Sequence, residues 1–173
     1  MVLVMASRYR PRMFLATALA LFSAPADPAH AALDRLSGCW DAPGEVMGKR
    51  VQTRVRGAWR LGGRYFLLES HGLNPADPYD AAIVLGDHDQ TRLSGWWMDS
   101  FGAGYSTAGQ GEVKDGVITV DYAYPDSVYA NRMAPDGKGW RWTIVERKRD
   151  GNEKPFASYR LTPVACGDTK FAF

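Results

Sequence analysis

From Ala32 onward the chain is broken at short intervals by turn dipeptides, and the runs between them alternate apolar and polar residues. Asp115-Gly116, Asp136-Gly137 and Asp150-Gly151 are two-residue hairpin signals, and Gly62-Gly63 is another. Asn74-Pro75-Ala76-Asp77-Pro78 reads as a longer loop, because neither proline can sit in a central strand. Gly86-Asp87-His88-Asp89 reads as a polar turn. Trp, Tyr and Val are dense in between, as strands prefer. No stretch of this region shows a convincing set of apolar residues at the helical period.

Alternation assigns faces. Val51, Thr53, Val55, Gly57 and Trp59 share one side of their run, and Gln52, Arg54, Arg56 and Arg60 the other. That basic stripe has no interleaved aromatics and reads as a solvated outer wall. Tyr65, Leu67, Glu69 and His71 then alternate with Phe66, Leu68 and Ser70. Leu93, Gly95, Trp97, Asp99 and Phe101 share a face, as do Ile118, Val120, Tyr122 and Tyr124, and Trp140, Trp142 and Ile144. The count comes to about eight to ten short strands in meander order. Such a set has exposed edges unless the sheet closes. The fold class expected is all-β, a single antiparallel up-and-down barrel, with a sandwich as runner-up. A barrel of about eight strands holds one small ligand.

The N-terminus has a different character. Arg8, Arg10 and Arg12 precede an apolar run from Met13 to Phe22, and Ala29-His30-Ala31 matches a small-x-small cleavage pattern. The run is too short to span a bilayer, which takes about 20 residues, so no transmembrane span is expected. Residues 1–31 therefore read as a cleaved signal peptide, with cleavage near Ala31 and a domain over residues 32–173 placed in the periplasm or secreted. Leu36-Ser37-Gly38-Cys39 resembles a lipidation box, but Asp27, Asp34 and Arg35 separate it from the apolar core. Removing residues 1–31 takes away three Arg and one Asp, which leaves cationic and anionic side chains equal in number. A neutral domain lacks the positive field of a nucleic-acid binder. Cys39 and Cys166 lie near the ends of the domain, and in an oxidising compartment they are expected to pair.

Gly38-Cys39-Trp40 heads the first strand and resembles the Gly-x-Trp signature of the calycin superfamily, the lipocalins and their relatives. The resemblance implies that Trp40 plugs the closed end of a barrel. It also implies that an Arg on the last strand, here Arg160, packs across that ring. Trp97-Met98-Asp99-Ser100-Phe101, with Gly109-Gln110-Gly111, is similar to a family of bacterial lipocalin-like domains of unknown function; the likeness covers about Leu33 to Pro163 and implies no reaction. Haem-binding relatives hold their cofactor through a His on a late strand. From Val117 to Phe173 there is no His, so haem is disfavoured and no cofactor is expected.

Three polar residues, Glu69, His71 and Asp99, share faces with large apolar side chains. If those faces line the lumen, a carboxylate could act as general base with His71 as partner. The plainer reading has Asp99 taking backbone donors at a turn and His71 at the barrel mouth. Trp97, Tyr122, Tyr124 and Trp142 are candidates for lining a ligand site, against a purely space-filling role. Gly102-Ala103-Gly104 is a connection that could border a mouth. Asp87, His88 and Asp89 supply too few ligands for a metal site, and no nucleophile or phosphate-loop motif is present. Three functions remain: an exported barrel holding a small apolar or aromatic molecule, a cofactor-independent lyase or isomerase, and a non-catalytic envelope interaction protein. The sequence does not indicate an oligomeric state.

Overall fold

The structure, a computed structural model, describes residues 27–76, 78–87, 89 and 91–167. The expected leader therefore lies outside the described residues up to Ala26, as does His88. Among the described residues one α-helix, α1 (Pro28–Leu36), precedes ten strands. They are β1 (Gly38–Val46), β2 (Lys49–Arg60), β3 (Tyr65–Gly72), β4 (Asp80–Asp87) and β5 (Arg92–Asp99). A 3-10 turn, Ala103–Tyr105, leads to β6 (Thr107–Lys114), β7 (Val117–Ala123), β8 (Ser127–Asp136), β9 (Gly139–Lys148) and β10 (Glu153–Val164).

Every strand pairs antiparallel with its neighbour in sequence, and β10 returns to pair with β1, so the sheet is a closed up-and-down barrel. Closure leaves no free edge. The hairpin signals fall where the sequence placed them: Leu61, Asp115 and four turn glycines, Gly62, Gly63, Gly116 and Gly137, have positive φ. Cys39 and Cys166 form a disulfide across a sequence separation of 127 residues. It ties the start of β1 to the segment just after β10, the seam at which the barrel closes.

The helix is a departure from the all-strand reading, and its signals were present. Ala29, Ala32, Leu33 and Leu36 recur at helical spacing and are all buried. Asp27 caps the first turn, its carboxylate accepting from the backbone N–H of Ala29 at 2.8 Å and His30 at 3.3 Å, and Pro28 occupies the first helical position. The pattern was hidden because the expected cleavage point after Ala31 divides it. That point lies inside α1.

Helix α1 closes one end of the barrel. Three tryptophans from three strands donate their indole N–H groups to its last turn. Trp40 reaches the carbonyl oxygen of Leu36 at 3.0 Å, Trp140 that of Arg35 at 3.3 Å, and Trp59 the carboxylate of Asp34 at 2.6 Å. Trp40 is 5% exposed, in keeping with a plug at the closed end. The cation over an indole is not Arg160. Arg160 projects outward, is exposed, and binds Asp136 at 3.2 Å. Arg35 supplies the contact instead, its guanidinium carbon 5.7 Å from the centre of the Trp140 ring. The alternation of the last strand explains the difference: Tyr159 and Leu161 oppose the inward Trp142 and Trp140, so Arg160 between them must face out.

Candidate functional site

Strand register decides which candidate residues face the lumen. Directly opposed residues share a face, and Trp40, Val55, Ser70, Ala81 and Asp99 are opposed in turn across β1 to β5. Trp40 is inside, so Asp99 is inside. Glu69 and His71 flank Ser70 and therefore face outward. Glu69 is nonetheless 5% exposed, lying beneath the basic stripe with an oxygen 3.6 Å from Arg60. His71 meets Asp80 at 2.5 Å on the outer face. The three candidate acid–base residues do not converge in one pocket.

At the end opposite α1 the inward positions are aromatic and form two tiers. The deeper tier is Trp97, Tyr122, Trp142 and Tyr159. Trp97 lies 5.5 Å from Tyr122 and 6.3 Å from Trp142, and Trp142 lies 5.2 Å from Tyr159, between ring centres. Tyr122 and Trp142 are almost completely buried. The Trp142 indole donates to Asn131 Oδ1 at 2.9 Å, and the Asn131 amide donates to the Tyr129 carbonyl at 3.3 Å, so this buried amide is satisfied. Tyr122 is not: its hydroxyl is buried and has no hydrogen-bond partner.

Glycines make the space these rings occupy. A Cβ on Gly95 would stand 2.5 Å from the Tyr122 hydroxyl, and one on Gly109 would stand 2.6 Å from its ring. The Tyr122 side chain therefore lies flat along the inner wall, across β6 and onto β5. Sequence reasoning missed this role, although Gly95, Gly109 and Gly111 occupy inward strand positions where a barrel needs volume.

The upper tier is a rim. Tyr79 packs on Phe101 at 5.5 Å, Phe101 on Tyr105 at 5.8 Å, Tyr124 on Tyr129 at 5.4 Å, and Tyr129 on Phe156 at 4.9 Å. The Tyr124 hydroxyl joins the two arcs by donating to the Tyr105 carbonyl at 2.8 Å. Phe101 is 69% exposed and Tyr105 58%. Residues Gly102 to Gly104 lie in this rim, as the sequence suggested. Tyr79, Tyr105, Tyr129 and Phe156 were not singled out in the sequence. Tyr79 and Tyr105 lie outside the strands, where no alternation gives a face; Tyr129 and Phe156 lie near strand starts, and at Phe156 a bulge between Pro155 and Ala157 breaks the alternation.

Asp99 holds the two tiers together. One carboxylate oxygen accepts from the Tyr79 hydroxyl at 3.2 Å and the Trp97 indole at 3.1 Å, and the other from the Phe101 backbone N–H at 3.0 Å. This is the turn-capping role foreseen as the plainer alternative, with two side-chain donors added. Burial and the Asp99 charge push the Tyr79 phenol well above its ordinary range. Burial does the same to Tyr122 and lifts Tyr159 to about 12. The phenols stay neutral donors near neutral pH. At the rim, Lys154 binds the largely buried Glu146 at 2.9 Å, which raises the ammonium pKa.

The arrangement offers flat apolar faces and one unengaged buried hydroxyl. A shallow open recess of about 210 Å³ adjoins the rim on its outer side, lined by Tyr124, Ser127, Arg147 and neighbouring residues. The outer wall carries an apolar row: Ala58, Leu67, Val84, Trp96 and Ala108 oppose one another across β2 to β6, with Trp96 55% exposed. Among the described residues no group of three or more His, Cys, Asp or Glu is placed to hold a metal ion. No helix among them is long and apolar enough to cross a membrane.

No protein family and no curated protein matches the chain. Among solved structures, the chain is similar to Rv2717c from M. tuberculosis at 16% identity and a TM-score of 0.61, covering 79% of this chain and 98% of that one. It is also aligned with a redesigned β-barrel at 10% identity and a TM-score of 0.41, covering 77% of this chain and 95% of that one. The first likeness is one of fold.

Proposed function

We propose that this chain is an exported binding barrel that takes up a small apolar or aromatic molecule at the end opposite α1. The observation that carries this reading is the difference between the two ends. One is sealed by a helix whose last turn is held by three indole donors. The other presents two tiers of aromatic rings, partly exposed, above a buried Tyr122 hydroxyl with no partner. Buried polar groups are almost always paired, so an unpaired phenol on the inner wall suits a ligand that carries one acceptor. Sites of this kind are apolar and aromatic with few polar groups. The Cys39–Cys166 disulfide fits an oxidising compartment, and with the basic and apolar N-terminus it supports export. Gly38, the buried Trp40 and the closed meander support placement beside the calycins.

The test is binding to the folded protein. Native mass spectrometry of protein isolated from the cell envelope should show a bound small molecule, or an apolar fluorescent probe should bind saturably. Trp97→Ala and Tyr124→Ala should each weaken probe binding at least about tenfold, a loss of about 1.4 kcal/mol. Absence of both a bound mass and saturable probe binding removes the reading.

A second reading, an envelope interaction protein, is favoured by the outward row around Trp96. Large exposed apolar patches mark contact surfaces. Trp96→Glu separates the two: it leaves probe binding at the mouth unchanged, and it abolishes self-association measured by sedimentation if that row is an interface.

A further inference from the structure

We propose that the leader is removed by hydrolysis of the Ala26–Asp27 peptide bond, so that the exported protein begins at the N-cap of α1. The inference rests on the export reading above and places a processing site that neither the fold nor that reading specifies.

The helix needs the residues that cleavage after Ala31 would remove. Asp27 caps it through its carboxylate, and its carbonyl accepts the Ala31 N–H at 2.9 Å, the first bond of the helix. Ala29 is 0% exposed beneath it. Cleavage after Ala31 would leave Ala32–Leu36, little more than one turn, with neither cap nor first bond. A helix that short does not hold in water. The new ammonium group would sit on Ala32, itself 2% exposed. An ammonium there would be desolvated without a partner and set against the helix dipole.

Cleavage after Ala26 keeps the cap, the first helical bond and the buried Ala29, and places the new ammonium on the half-buried Asp27 instead of on a buried alanine. Ala24-Pro25-Ala26 is itself a small-x-small triplet, and it lies closer to the apolar run ending at Phe22 than Ala29-His30-Ala31 does. Every residue that α1 uses remains with the domain. Residues 29–31 lie within the helix, whereas Asp27 is its N-cap and stands outside it. In the reaction a water adds to the Ala26 carbonyl carbon and the C–N bond breaks. The leader departs with a C-terminal carboxylate, and the Asp27 nitrogen takes the proton.

The experiment expresses the full chain in a bacterium with an export pathway and measures the intact mass and N-terminal sequence of the envelope fraction. The expected product starts at Asp27. Ala26→Leu should accumulate as full-length precursor, and Ala31→Leu should be processed like the parent. A product starting at Ala32, or at any residue other than Asp27, overturns the inference and leaves export standing. Full-length parent protein retained in the cytoplasm overturns both.

Discussion

The indole N–H of Trp40 donates to the carbonyl oxygen of Leu36 at 3.0 Å, and both residues are buried at the end of the barrel. The last four carbonyls of a helix have no partner within it. At a buried helix end each needs one from elsewhere. Here β1 and β9 each supply an indole to a carbonyl of the last turn, and β2 supplies one to the Asp34 side chain.

Removing that donor while keeping an aromatic ring should therefore expose the cost of an orphaned buried carbonyl. Trp40→Phe is expected to lower unfolding free energy by about 1–3 kcal/mol. Trp59→Phe, whose partner Asp34 is exposed, should cost less, about 0.5–1.5 kcal/mol. Urea midpoints of the two variants give the comparison. Equal losses would show that the buried carbonyl is satisfied in another way.

Arg35 and Arg160 provide a paired test of the correction at the closed end. Arg35→Ala loses an indole contact at the C-terminal turn of α1 and should cost about 0.5–2 kcal/mol. Arg160→Ala removes an exposed ion pair with Asp136, which is worth about 0–1 kcal/mol. Thermal unfolding that ranks them in the opposite order would return the structural role to Arg160.

The glycine notch predicts a specific rescue. Gly95→Ala brings a methyl to 2.5 Å from the Tyr122 hydroxyl and should destabilise by about 1–3 kcal/mol through overpacking. Adding Tyr122→Phe removes the nearest clashing atom and should recover part of that loss, the contact with Val120 Cγ1 at 2.9 Å remaining. The same addition should not rescue Gly109→Ala, where the methyl meets the ring at 2.6 Å and the Asp121 carbonyl at 2.8 Å. A double-mutant cycle on the denaturant midpoints reads the coupling.

Reducing Cys39–Cys166, or replacing both cysteines with alanine, reopens a connection of 127 residues. Loss of so long a loop constraint should cost about 2–5 kcal/mol. The measurement is the thermal midpoint with and without reductant. No shift would mean that pairing of β1 with β10 needs no covalent help.

Alkaline pH should unfold the protein through its buried phenols. Tyr79, Tyr122 and Tyr159 all have raised pKa values, chiefly from desolvation, with Tyr159 at about 12. The folded state holds these protons more tightly than the unfolded one, whose phenols titrate near 10. Their contribution is thus fully present below about pH 10 and is lost as pH rises through the folded values. Tyrosinate absorbance should show these groups ionising together with loss of near-ultraviolet circular dichroism. Ionisation that precedes unfolding would place the phenols in contact with water.

The strands, the order in which they pair and the disulfide were legible because they rest on local signals. Turn dipeptides and two-residue alternation state where a strand ends and which residues share a face. They do not state which face is inside. Glu69 and His71 show the limit: Phe66, Leu68 and Ser70 offer nearly the same hydrophobic contrast, and a carboxylate can lie buried on the outer wall beneath arginines. Helix α1 was missed because a cleavage pattern and a helix cap overlap in the same residues. Tyr79 and Tyr105 were missed because the connections that carry them have no period.

The chain by itself determined a closed meander joined at its seam by two cysteines, since hairpin turns and alternating burial act over a few residues. Only the tertiary structure decided which end is sealed, which of two arginines meets an indole, and that Asp99 anchors a ring-lined mouth. Those outcomes depend on strand stagger and on the docking of α1, which bring together residues far apart in sequence that no local pattern connects.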